Sequence, residues 1–311
     1  MPQPLKPHAL HSGDAVRILS LASPAIADRV TAGCEELKRL GYVPKLNRGN
    51  VLACDSFFAG TANERLASLL AALAESDTSA IFCTRGGYGS NYLLENFSSA
   101  PKAPKLFVGF SDLTSLQIFL WQKFGWVTLY GPMVAAGLDS GAGSAHGYDR
   151  ESLVRALTET KQGWSLSLQG ESICAGDASG IVLGGCLTLV ETTLGTPWEL
   201  ATGGAILVLE DRGMKPHQVD RSLMHLKQAG KFRGVAGIVL GEFPECDPVA
   251  GGESIKAIAS RILAPLGIPV VWGAPVGHTS RAMLTIPLGV RARLMARGAG
   301  CLEILEPAVI A

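Results

Sequence analysis

Four short apolar runs in the first half of the chain, residues 16–21, 80–84, 106–108 and 126–130, alternate with segments whose apolar residues recur at helical spacing. Parallel strands need a crossover between them, and a helix is the usual one. This alternation therefore points to a parallel sheet covered by helices on both faces. The punctuation agrees. Ser23-Pro24 interrupts the first run, and Gly41 follows a helical stretch over 26–40, where a left-handed residue closes a helix. Thr61-Ala62-Asn63-Glu64 has capping-box spacing and opens a helix through Leu73.

The pattern weakens between residues 135 and 180, where the stretch 137–147 is rich in Gly, Ser and Ala. A second unit begins near Ile181, with strands expected at 205–209, 235–240 and 269–272 and helices at 218–228 and 254–263. Short strands at 291–295 and 301–305 close the chain. The expected architecture is an α/β protein. An N-terminal parallel-sheet, three-layer domain spans 1–135, a linker region 136–180, and a smaller α/β domain with some antiparallel strands 181–311.

Charge and cysteine usage narrow the function classes. The 311 residues carry 27 basic and 27 acidic side chains with no basic run, which argues against a nucleic-acid partner. No apolar stretch approaches the ~20 residues of a membrane span, and the first twelve residues hold three prolines and no signal-peptide core. The seven cysteines are scattered, with neither Cys-x-x-Cys nor His-Glu-x-x-His spacing, so no metal site or cofactor is expected. A cytoplasmic protein follows.

The chemistry-bearing segment is Val108-Gly109-Phe110-Ser111-Asp112-Leu113-Thr114, which sets a serine where an apolar strand turns into a helix over 113–124. Such a junction exposes the hydroxyl beside unpaired backbone N–H groups, the geometry of a nucleophile next to oxyanion donors. The Gly-x-Ser-x-Gly elbow is not matched, because Leu113 replaces the second glycine. Capping the helix is the blander role for Ser111. A serine nucleophile needs a base and an orienting acid. Of six histidines, His278 stands out, since Gly277-His278 follows an apolar strand in a turn that permits close backbone approach. Glu210 ends the apolar run 205–209 and must find a partner or solvent; Arg212 or Arg221 could also be that partner. Arg85-Gly86-Gly87-Tyr88-Gly89 lacks the Lys-Ser/Thr pair of a phosphate loop. It reads as a tight turn whose amides face the strand ends.

Taken together, in order and spacing, these elements resemble the LD-carboxypeptidase family of serine peptidases, which includes murein tetrapeptide carboxypeptidases and microcin C self-immunity hydrolases. The resemblance also rests on Gly13-Asp14, Ala59-Gly60-Thr61 with Glu64-Arg65, Gly184-Gly185, Gly195-Thr196-Pro197, Asp220-Arg221, Pro287 and Gly289. It implies Ser111 as nucleophile, Glu210 as acid and His278 as base, with an oxyanion hole from the amides of Gly87 and Asp112. It further implies release of the terminal D-alanine from murein tetrapeptides in cell-wall recycling, without cofactor, by a possible homodimer. An immunity-type hydrolase of adenylates, or a non-catalytic module holding a small anion, are the alternatives. The chain departs from many members at Tyr130-Gly131-Pro132, at Cys186 and over 212–215, all expected to lie off the triad.

Overall fold

The apolar runs become strands, and the intervening segments become helices. The structure, a computed structural model, describes residues 2–97, 103–161, 163–248 and 251–311. Strands β1 (Ala15–Leu19), β2 (Val43–Lys45), β3 (Ala80–Cys83), β4 (Leu106–Gly109) and β5 (Thr128–Tyr130) form a parallel sheet in the order β2-β1-β3-β4-β5. Helix Ala27–Arg39 ends at Leu40 with Gly41 left-handed behind it, and Thr61 and Glu64 form the capping box of helix Ala62–Ala74.

Along the rest of the chain follow β6 (Trp164–Ser167), β7 (Glu171–Cys174), β8 (Gly176–Cys186), β9 (Ala205–Glu210), β10 (Gly237–Leu240), β11 (Val270–Trp272), β12 (Ile286–Leu288), β13 (Arg291–Ala296) and β14 (Cys301–Ile304). All but β12 build a second sheet, ordered β6-β14-β13-β8-β9-β10-β11-β7. Its centre, β8 to β11, is parallel and its flanks are antiparallel, the mixed character expected.

Two features were not visible in the pattern. Strand β12 leaves the second half of the chain and pairs antiparallel with β5, so the first sheet is parallel except at this edge. Pro287 fits there because an edge strand can lack one donor. The stretch 136–180, expected as a linker, is substantially regular: it holds helix Arg150–Thr158, β6, β7 and the start of β8. In β6 only Trp164 and Leu166 are buried while Ser165 and Ser167 face solvent, which dilutes the apolar signal.

Helix Thr114–Phe124 is buried from Thr114 through Trp121. Leu116, Phe119 and Leu120 join the apolar cluster that includes the first sheet, while Ile118 and Trp121 join the cluster around β9 and β10. One helix thus serves two cores, as all-round burial requires. The Gly184-Gly185 end of β8 packs against its first turn. A Cβ on Gly185 would lie 2.7 Å from the Thr114 side chain and 3.1 Å from Tyr130, at a φ of +138°. Among the described residues, no helix is long and apolar enough to cross a membrane. Gly185→Ala should destabilise the protein by roughly 2–4 kcal/mol through overpacking and backbone strain. Denaturant unfolding midpoints at constant slope would measure this.

Candidate active site

Ser111 follows β4 directly and adopts a φ of +63°, the left-handed region that a non-glycine residue enters only under structural constraint. It is the first residue of a 3-10 turn, Ser111–Leu113, preceded by Phe110 as N-cap, and no side chain caps that turn. The Ser111 hydroxyl forms no hydrogen bond among the described residues, so the capping role is not the one it fills. The Arg-Gly-Gly turn after β3 presses on it from the side. A Cβ on Gly86 would stand 2.8 Å from Ser111 Oγ and 3.1 Å from the Asp112 nitrogen. That approach is why glycine is required at position 86. Gly87, at φ +111°, is held against Ser23, whose hydroxyl accepts from the Tyr88 amide at 3.0 Å.

The amides of Gly87 and Asp112 donate to no protein acceptor among the described residues. The Asp112 side chain is turned away from the cavity to receive the Ser90 amide at 2.8 Å, while Ser90 Oγ donates to its carbonyl at 2.6 Å. Burial pushes the Asp112 carboxyl upward from its ordinary value. Its contribution to the site is therefore its main chain.

Glu210, the last residue of β9, is fully buried. Its Oε2 accepts from the His278 backbone amide at 2.9 Å and from Nδ1 of the His278 ring at 2.8 Å. With Nδ1 donating, Nε2 is the ring nitrogen left to act as a base. Neither Arg212 nor Arg221 is its partner; Arg212 pairs with Glu245. Glycines close the chain around this carboxylate, since a Cβ on Gly277 would lie 2.4 Å from its Cδ and one on Gly241 2.5 Å from its Cβ. Phe110, beside Ser111, packs edge-on against the His278 ring with centroids 5.2 Å apart. Ser111 and His278 line the same cavity of about 250 Å³ and form no hydrogen bond with each other.

The other carboxylate oxygen reveals a residue that the sequence reading placed off the triad. The buried Tyr130 hydroxyl donates to Glu210 Oε1 at 2.5 Å and accepts from the Ser111 amide at 3.3 Å. It joins the acid on one sheet to the serine on the other. The departure at Tyr130-Gly131-Pro132 was the available signal, but an aromatic residue ending an apolar run reads as core. Burial and the nearby Glu210 charge raise the Tyr130 phenol well above its ordinary range, so it stays a donor.

Burial disfavours the His278 imidazolium, but the Glu210 charge and hydrogen bond outweigh it and hold His278 above its ordinary value. Burial likewise disfavours the Glu210 anion, and His278 and Tyr130 reverse that, keeping it below its ordinary value. The signs then follow. His278's contribution to stability is complete below its unfolded pKa of about 6.5 and is lost as pH rises through the folded value. Glu210's is present above about 4.3 and lost as pH falls through its depressed folded value. By NMR, the His278 ring should titrate above about 6.5. In Glu210→Gln it should titrate lower than in wild type, because the charge that chiefly offsets burial is gone. Tyr130→Phe leaves Oε1 buried without a donor and should cost roughly 1–3 kcal/mol in denaturant unfolding.

The sequence profile of the LD-carboxypeptidase N-terminal domain matches residues 16–131, and that of the C-terminal domain matches residues 179–294. The chain is 33% identical to a probable murein peptide carboxypeptidase of Bacillus subtilis, over 93% of this chain and 91% of that protein. It superposes on the muramoyltetrapeptide carboxypeptidase of Oxalobacter formigenes with a TM-score of 0.82 and 28% identity, covering 94% of this chain and 99% of that one. The microcin C7 self-immunity protein MccF, 24% identical, shares the fold with a TM-score of 0.88 over 98% of this chain and all of that one. With both domain profiles matched in order and a relative aligned over nearly its whole length, the chain belongs to the LD-carboxypeptidase family of serine peptidases.

Proposed function

We propose that this serine carboxypeptidase releases the terminal D-alanine from murein tetrapeptides, with Ser111, His278 and Glu210 as its catalytic triad. The observation that carries the reading is the buried Glu210–His278 pair opening onto the same cavity as a strained Ser111 whose hydroxyl has no hydrogen bond among the described residues. His278 Nε2 takes the Ser111 proton as the hydroxyl attacks the carbonyl carbon, and Glu210 holds the ring and stabilises the imidazolium. The amides of Gly87 and Asp112 receive the oxyanion, each worth about 10²–10³ in rate. Collapse expels D-alanine, its nitrogen taking the proton from His278. Water, activated by the same histidine, then hydrolyses the acyl-enzyme.

The names of the relatives above support a murein peptide as substrate. The cavity supports the same choice against an adenylate, because its one Phe, Tyr or Trp ring among the described lining residues, Phe110, already packs on His278. Cytoplasmic location, read from the sequence, and assembly as a homodimer, carried by the family resemblance, belong to the same proposal.

Ser111→Ala should remain folded and bind peptide while D-alanine release falls by up to ~10⁶. A variant that is less stable yet fully active would overturn the assignment. The neutral imidazole is the competent base, so kcat/KM should rise with pH through the His278 transition, above the ordinary histidine range. A pH–rate profile flat from about 5 to 8 excludes a histidine base.

A further inference from the structure

The cavity before Ser111 is lined by three arginines, and two are committed. Arg29 pairs with Asp139 at 2.5 Å and Arg212 pairs with Glu245. Arg85, half-buried just beyond β3, has no ion-pair partner among the described residues. Its single hydrogen bond is a long 3.5 Å contact from Nη1 to the Pro24 carbonyl. Nη2 lies 3.7 Å from where a Cβ on Gly87 would stand, so the guanidinium is beside the turn assigned to the oxyanion. A half-buried guanidinium with open donors, in a cavity whose described lining offers one carboxylate already bound to Arg212, is poised for an anion from outside.

We propose that Arg85 binds the C-terminal carboxylate of the substrate and thereby restricts cleavage to the last peptide bond. The inference rests on the carboxypeptidase reading and adds the group that recognises the chain end. In a peptide cut at its last bond, the carboxylate is separated from the scissile carbonyl by only the leaving residue's nitrogen and Cα. Once that carbonyl is at Ser111, the short covalent link keeps the carboxylate within reach of groups that border Ser111 and the oxyanion turn, as Arg85 does. A planar guanidinium meets it with two parallel N–H···O bonds, which a longer peptide with an amide at that point cannot reproduce.

The test compares kcat/KM for L-Ala-γ-D-Glu-meso-diaminopimelyl-D-Ala and its C-terminal carboxamide in wild type, Arg85→Gln and Arg85→Lys. Wild type should prefer the free acid. Arg85→Gln should lose about 10²-fold on the acid, mainly through KM, and little on the amide. Its rate of Ser111 labelling by a fluorophosphonate should match wild type, showing an intact nucleophile. Equal losses on both substrates, or a wild type indifferent to the carboxylate, overturns the proposal. If the glutamine variant does not label, Arg85→Lys carries the test: a point charge in place of the fork should cut the acid preference about tenfold, and an undiminished preference overturns the inference. A wild type that labels rapidly but releases no D-alanine overturns the functional reading, and this inference with it.

Discussion

A carboxylate with no exposed surface is the most demanding group in this protein, and the surroundings of Glu210 are arranged to meet its demands. An ionised carboxyl out of water is tolerable only when its oxygens are filled by donors. Three donors reach it: two from His278 and one from Tyr130. They come from opposite sides, the tyrosine from β5 of the first sheet and the histidine from the loop after β11 of the second. Satisfying one buried charge therefore brings both sheets to a common point. The glycines at 241 and 277 are what let the backbone come that close.

A second constraint acts on the serine. Its positive φ is held by β4 behind, Gly86 beside, the Tyr130 hydroxyl at its amide and a helix anchored in two apolar clusters ahead. The strained residue is thus over-determined by packing that the folded state stabilises anyway. The same packing leaves the Gly87 and Asp112 amides without internal acceptors among the described residues. Fixed, unpaired donors need no reorganisation when negative charge develops in front of them.

Much of this was legible in sequence, and the gaps have physical causes. Strands β3, β4 and β5 could be read because they are buried at every position and so form short apolar runs, and the helix Ala62–Ala74 because a capping box opens it. Ser111, Glu210 and His278 stood out as polar residues at the ends of apolar runs. Strands β6 and β7 escaped because they are only partly buried, which breaks up their apolar signal. The position of β12 escaped because edge pairing is decided by a partner more than 150 residues away, Ile286 against Tyr130. Tyr130 itself was hidden by its ring, since its role lies in one hydroxyl whose partners are on other elements. Arg85 was seen as part of a turn, and its significance depends on which neighbouring arginines already have carboxylates.

The antiparallel strand at the margin of the first sheet bears on how the molecule matures. As the chain leaves the ribosome, β1 to β5 can assemble early, but the open side of β5 waits for residues 286–288 to emerge. His278 arrives in the same late portion, just ahead of them. The nascent chain therefore carries Ser111 before His278 is present, with the strand that bears Tyr130 unpaired on one side. The contact between Glu210 and His278 and the closing of the first sheet's edge are therefore formed after residues 278–288 have emerged.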